Sequence, residues 1–126
     1  MNKRTVGTRY EELAARYLME QGLVIVASNF RCRIGEIDLI ALKKADADQP
    51  GSRDIYVFVE VKYRRDARSG LPFEAVDHKK RKTICRVADY FRLIHGGLSG
   101  YDFRFDVISI LGEEITWYPD AFPYTV

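Results

Sequence analysis

The run Tyr56-Val57-Phe58-Val59-Glu60-Val61-Lys62 sets an acid and an amine two residues apart at the end of an otherwise apolar stretch. Side chains of an extended strand alternate between faces, so Glu60 and Lys62 point one way and Val57, Val59 and Val61 the other. A buried charge must be paired or bound to a metal, or it costs several kcal/mol. An ordinary Glu–Lys ion pair at a strand end, leaving to solvent through Tyr63-Arg64-Arg65, would satisfy that rule without any chemistry. A second run bears on the choice. In Gly35-Glu36-Ile37-Asp38-Leu39-Ile40-Ala41, an aspartate interrupts a strand-like sequence, although Asp is depleted in strands. Alternation puts Asp38 on the face of Glu36 and Ile40; alone, it also reads as a hydrogen-bonded turn or edge residue. If these two strands pair, Asp38 and Glu60 lie side by side. Two converging carboxylates repel each other, and a hard divalent cation such as Mg²⁺ removes that cost.

Asp38, Glu60 and Lys62 together form a set suited to phosphodiester hydrolysis. The carboxylates would hold the metal, which polarises the phosphodiester and lowers the pKa of a bound water. Lys62 would orient that water, help deprotonate it, or neutralise charge growing on the phosphate. From Lys62 to Arg86 the chain has nine basic and three acidic residues, a local charge of +6 within a total of +2. Such a focus suits contact with a phosphate backbone, although a solvated lysine-rich surface has the same composition. His78-Lys79-Lys80-Arg81-Lys82 places cations at a helix start, where the dipole favours anions. A local rule broken in this way hints at function. Arg64, Arg65, Lys79, Lys80 and Lys82 are the expected phosphate contacts.

The elements that must position these residues follow from periodicity. Tyr10, Leu13, Ala14, Tyr17 and Leu18 form one helical face over about Thr8–Gln21, stopped by Gly22. At about 100° per residue, Glu11 falls at the edge of that face beside Leu18, and Glu12 falls on the polar side. Glu11 is therefore a candidate third carboxylate, or else simply an acid favoured near a helix N-terminus. Leu23–Ala27 and Phe30–Ile34 read as short strands or an extended lead-in. Glu36–Leu42 and Ile55–Tyr63 read as strands around a long polar turn, Lys43–Asp54. Arg64–Pro72 is a polar loop. A helix runs from about Asp77 to Ile94, followed by strands Tyr101–Leu111 and Glu114–Tyr118. The order α-β-β-β-α-β-β predicts an α/β layered fold.

The 126 residues suit a single domain spanning 1–126, and 47% hydrophobic with 30% charged content suits a soluble globular class. No apolar run approaches the roughly 20 residues that cross a bilayer. Met1–Tyr10 has no apolar core, so it is not a secretory signal, which points to the cytoplasm and away from membranes. Cys32 and Cys85 read as reduced thiols. With His78 and His95 they show no zinc-ligand spacing, and neither histidine has a visible catalytic partner.

Gly7, Glu11, Ala14, Leu18 and Gly22, then Asn29-Phe30-Arg31, Gly35-Glu36-Ile37-Asp38-Leu39-Ile40-Ala41, Phe58-Val59-Glu60-Val61-Lys62 with Arg64, and Arg104-Phe105-Asp106-Val107 resemble the YraN family. These small bacterial proteins are similar to Holliday-junction resolvases of the PD-(D/E)xK superfamily. The resemblance runs nearly end to end. It implies a restriction-endonuclease-like mixed β-sheet flanked by helices. It implies Asp38 and Glu60 as metal ligands, the Val61 carbonyl as a further ligand, Lys62 as catalytic, and Glu11 as the helix-one carboxylate. Tyr10 departs from the glycine often found there, and Lys43–Asp54 is long for the family.

The expectation is thus a Mg²⁺- or Mn²⁺-dependent endodeoxyribonuclease, with branched or single-stranded DNA as candidate substrates. A homodimer would suit two-fold branched DNA. The alternative is a non-catalytic nucleic-acid-binding module of the same fold. A protein-interaction domain has only the aromatic tail Trp117–Tyr124 to suggest it, and packing or a dimer contact is the other use of that tail.

Overall fold

The computed structural model describes residues 3–66, 68 and 76–126, with side chains from residue 9 onward. Its elements are α1 (Lys3–Glu20), β1 (Val24–Cys32), β2 (Gly35–Lys43), β3 (Ile55–Arg64), α2 (His78–Ile94), β4 (Asp102–Leu111) and β5 (Glu114–Phe122). The α-β-β-β-α-β-β order is the predicted one. Much of the predicted loop Arg64–Pro72 lies outside the described residues. The strands form one sheet in the order β1-β2-β3-β4-β5. Neighbours are antiparallel except β3 and β4, which run parallel from Ile55↔Asp102 to Arg64↔Leu111. A parallel pair needs a long crossover, and α2 lies in it.

Each helix buries its apolar stripe on the sheet. Ala14 and Leu18 of α1 pack with Leu39, Val57, Val59 and Ile108. Ile84, Val87 and Phe91 of α2 pack with Ile40, Phe58 and Val107. Burying each such aliphatic or aromatic side chain contributes about 1.5–3 kcal/mol. The result is an α/β, restriction-endonuclease-like arrangement with β3 at its centre. Among the described residues, no helix is long and apolar enough to cross a membrane.

Three details differ from the sequence expectation. Helix α1 starts at Lys3 rather than near Thr8. The two short pieces Leu23–Ala27 and Phe30–Ile34 are replaced by one nine-residue strand, β1, which continues through Asn29 at φ 52°. Strand β5 continues past Pro119 to Phe122. Only β4 neighbours it, and an edge strand tolerates the missing proline N–H.

Buried Asp106 ties β5 down. It accepts from Arg104 Nε (3.0 Å) and Nη2 (3.1 Å), Trp117 Nε1 (2.8 Å) and the Asp120 backbone N–H (2.9 Å). Four donors satisfy a carboxylate with 0% exposure. The aromatic tail is therefore mostly β5 itself, with Phe122 buried and the Tyr124 hydroxyl bonded to Asp89 of α2.

Gly35 opens β2 directly against α2. A Cβ there would stand 2.7 Å from Thr83 Cγ2, so the first residue of the Gly-Glu-Ile-Asp run has a packing reason to be glycine.

Candidate active site

The ladder between β2 and β3 runs from Lys43↔Ile55 to Leu39↔Val59 and stops there. The next residues in that register are Asp38 and Glu60. The Asp38 carboxylate oxygen Oδ2 accepts the Val61 backbone N–H at 2.8 Å. A side chain thus satisfies a donor beyond the end of the backbone ladder.

Strict alternation fails at Asp38. Ile37 and Ile40, three residues apart, both join the core under α2, while Leu39 joins the core under α1. The same happens in β1, where Ala27 and Phe30 both pack under α2. Asn29 lies between them, opposite Asp38 in the register of Ser28↔Leu39 and Phe30↔Ile37. Its φ of 52° is a conformation that Asn tolerates better than most residues. This paired irregularity corrects the expectation that Asp38 simply shares the face of Glu36 and Ile40.

Alternation on β3 holds. Phe58 faces α2, whereas Val57, Val59 and Val61 face α1. Glu60 is buried at 4% exposure. Its Oε1 lies 3.2 Å from Lys62 Nζ and 3.6 Å from Lys80 Nζ of α2. Two ammonium groups therefore compensate one buried carboxylate.

Glu11 completes the cluster from α1. It is half-buried, whereas Glu12 is exposed, matching their positions on the helical wheel. Its carboxyl bonds to the side chains of Asn29 and Asp38. Burial pushes the Glu11 pKa up, and the charges of Glu36 and Glu60 add to the rise. Asp38 is pushed up to about 8, first by burial, then by the charges of Glu60 and Glu11; the Val61 N–H and Lys80 oppose the shift. Two carboxyls joined by a hydrogen bond share a proton, so the bond between Glu11 and Asp38 couples their titrations. Glu36 bonds outward to Arg31 Nε at 2.9 Å, an exposed pair worth about 0–1 kcal/mol.

The donor set fits a hard cation in its chemistry. Glu11, Asp38 and Glu60 offer carboxylate oxygens, the ligands that Mg²⁺ and Mn²⁺ prefer. The Asp38 pKa is raised first by burial and then by the charges of Glu60 and Glu11, and a cation would offset the second of these. The carboxylates do not form a ready cage: among the described residues, no three Asp, Glu, His or Cys side chains stand together as a metal-holding group.

The basic residues divide. Arg65, Lys79 and Lys82 are exposed. Arg64 is half-buried and donates to the Tyr63 carbonyl at 2.9 Å. Lys80, expected with them as a phosphate contact, belongs to the Glu60 cluster. Its position was available in the helix phase, since Lys80 stands one turn before buried Ile84. Asn29 was also missed as a site residue. Its signal was an amide, of a type depleted in strands, inside an otherwise strand-like run.

The sheet order, its flanking helices and an acid–acid–lysine cluster at the diverging ends of two central strands define a restriction-endonuclease-like α/β protein. The model of the family described as "Uncharacterised protein family UPF0102" matches residues 10–110, and the chain belongs to that family, the YraN family of the sequence motifs. It is 41% identical over 122 residues to the UPF0102 protein of Lachnoclostridium phytofermentans, covering 97% of this chain and 96% of that one. With the UPF0102 protein of Caldicellulosiruptor bescii it shares 44% over 110 residues, 87% and 85% of the two chains. With a UPF0102 protein of Pectobacterium carotovorum it shares 38% over 123 residues, 97% of each.

Proposed function

We propose that this protein is a metal-dependent endonuclease that hydrolyses DNA phosphodiester bonds in the cytoplasm, with branched or single-stranded DNA as its substrate. One observation carries the reading: burial and the charges of Glu60 and Glu11 push the Asp38 pKa up to about 8, beside a buried Glu60 that is paired with Lys62. A carboxylate perturbed by burial together with specific charged neighbours is a candidate functional group. Asp38 and Glu60, with the Val61 carbonyl and Glu11, would hold Mg²⁺ or Mn²⁺. The ion would supply a Lewis acid for the phosphodiester and a more acidic bound water. Lys62, 3.2 Å from Glu60, would orient a water or neutralise charge on the phosphate. Lys80 would offset the charge of Glu60, and Arg64, Arg65, Lys79 and Lys82 would grip the backbone. A homodimer belongs to this reading because branched DNA offers two equivalent strands. Light scattering with and without a four-way junction tests that part.

The main test is cleavage of branched and single-stranded DNA with Mg²⁺ or Mn²⁺. Wild type should cut, and Lys62→Ala and Asp38→Ala should each lose about 100-fold or more. Variants that cut as well as wild type would place the activity elsewhere.

A second reading has its own observation. Lys62 and Lys80 already compensate Glu60, as in a site that works without a metal. A non-catalytic nucleic-acid-binding module predicts salt-dependent binding and no turnover with any divalent ion.

A further inference from the structure

We propose that the cavity bounded by the stacked Tyr10–Tyr63 pair is a nucleobase pocket, so that the DNA bound here carries an unpaired nucleotide next to the phosphate at the carboxylate–lysine cluster. This rests on the reading of that cluster as a DNA site. The cavity measures about 440 Å³, and its lining includes Arg9, Tyr10, Leu13, Tyr63, Arg65 and Ile115. That volume is in the range of small-molecule sites, about 300–1,000 Å³.

The two tyrosine rings lie parallel, with centroids 3.6 Å apart and planes 15° apart, and their hydroxyls are hydrogen-bonded. The pair forms an aromatic wall, and Leu13 and Ile115 add apolar surface. Both lining arginines are exposed, and the Arg9 guanidinium lies 6.0 Å from the Tyr10 ring centroid. A planar aromatic group with anionic flanks matches this lining, and a nucleotide is such a group. Glu113, which also lines the cavity, offers an acceptor to an exocyclic base amine.

The cavity and the cluster share their supports. Tyr10 precedes Glu11 on α1, and Tyr63 follows Lys62 on β3. Consecutive Cα atoms are about 3.8 Å apart, so the backbone that presents the cluster also builds the cavity wall. Alternation sends Lys62 to the α2 side of the sheet and Tyr63 to the α1 side, where it joins the α1 core. A strand of DNA crossing the end of β3 would meet Lys62 with a phosphate and Tyr63 with a base. A base stacked within a duplex cannot enter such a cavity without leaving its neighbours. The fitting substrates are therefore single strands, flaps and the open centres of junctions.

The test is fluorescence-anisotropy binding, without divalent metal, of a short single-stranded oligonucleotide carrying an abasic site at each position in turn. A blunt duplex is the control. One position should lose about 10-fold or more in affinity when its base is removed, the worth of one stacked base. Tyr63→Ala should erase that difference, and Tyr63→Phe should keep it. Ile115→Trp fills the cavity with the tyrosine pair intact and should act like Tyr63→Ala. Duplex affinity should stay within about 2-fold in all three variants, because phosphate contacts dominate it. Equal affinity for intact and abasic strands at every position overturns the proposal. So does discrimination that survives both Tyr63→Ala and Ile115→Trp. Cleavage is scored separately with Mg²⁺. A protein that cuts without base discrimination has no base pocket but remains a nuclease. One that discriminates without cutting keeps the pocket and loses the nuclease reading.

Discussion

Asp38 Oδ2 accepts the Val61 N–H at 2.8 Å, one step beyond the point where β2 and β3 stop pairing. The bond holds the aspartate beside Glu60 while leaving its charge to the surroundings, which are acidic and poorly hydrated. That placement has a consequence for stability. The folded-state pKa of Asp38 is about 8, against about 3.9 for an unfolded aspartate. A raised pKa means that the folded state holds its proton more tightly. The resulting stabilisation is complete below about pH 4 and is lost as pH climbs from about 4 to 8.

Asp38→Asn keeps an oxygen acceptor for Val61 and removes the titration. Its thermal stability should vary less with pH between 5 and 9 than that of wild type. At pH 8.5 it should exceed wild type by about 1–2 kcal/mol, or about 4–8 °C in Tm. Thermal melts across that range check this. An unchanged pH slope in the variant would show that Asp38 is an ordinary ionised carboxylate.

Glu60 has two lysines within reach, at 3.2 and 3.6 Å, and almost no solvent. Removing either leaves one partner. Removing both leaves a buried charge without compensation, which costs about 3–5 kcal/mol. Single Lys62→Met and Lys80→Met variants should therefore fold with modest loss, and the double variant should fall by more than the sum. Adding Glu60→Gln to the double variant should restore much of the loss. Denaturant unfolding at pH 7.5 measures wild type and the four variants, and simple additivity would mean that the two amines do not share Glu60.

Gly35 is required by α2 rather than by the cluster. Gly35→Ala drives a methyl to 2.7 Å from Thr83 Cγ2 and should cost about 1–3 kcal/mol. Thr83→Ser deletes that methyl and keeps the hydroxyl that donates to the Lys79 carbonyl at 3.1 Å. In the Thr83→Ser background the cost of Gly35→Ala should shrink, a coupling that chemical denaturation would detect. Equal cost in both backgrounds would mean that α2 does not press on β2 there.

The parts of this molecule that were legible in the sequence were governed by simple periods. The apolar stripe of α1 gave Glu11 an edge position and Glu12 an exposed one, and the structure agrees. Alternation on β3 separated Glu60 and Lys62 from their valines. What was hidden depended on broken periods and on contacts distant in sequence. Asn29 at φ 52° shifts β1 and β2 out of alternation together, which no one-strand pattern reveals. Lys80 looked like one cation among five until helix packing laid it 3.6 Å from Glu60. Asp106 was part of a recognisable motif, yet its four donors make it a tie for β5 rather than a member of the cluster.

That division of the cations leads to a prediction about DNA. Lys79 and Lys82 are exposed on the first turns of α2, while Lys80 is engaged with Glu60. Each lysine that neutralises a phosphate releases counterions on binding, with a slope in log K against log salt of about 0.9 per contact for duplex and about 0.7 for single strands. Lys79→Ala and Lys82→Ala should each flatten the slope by about that amount and weaken binding alike across sequences. Lys80→Ala should change the slope by less than half as much, because its charge is already balanced inside the protein. Anisotropy titrations from 50 to 200 mM salt, a range of roughly fourfold over which such contacts are visible, separate the three. If Lys80→Ala changed the slope as much as its neighbours did, Lys80 would leave Glu60 for the phosphate on binding, and Lys62 alone would be left to balance the buried carboxylate.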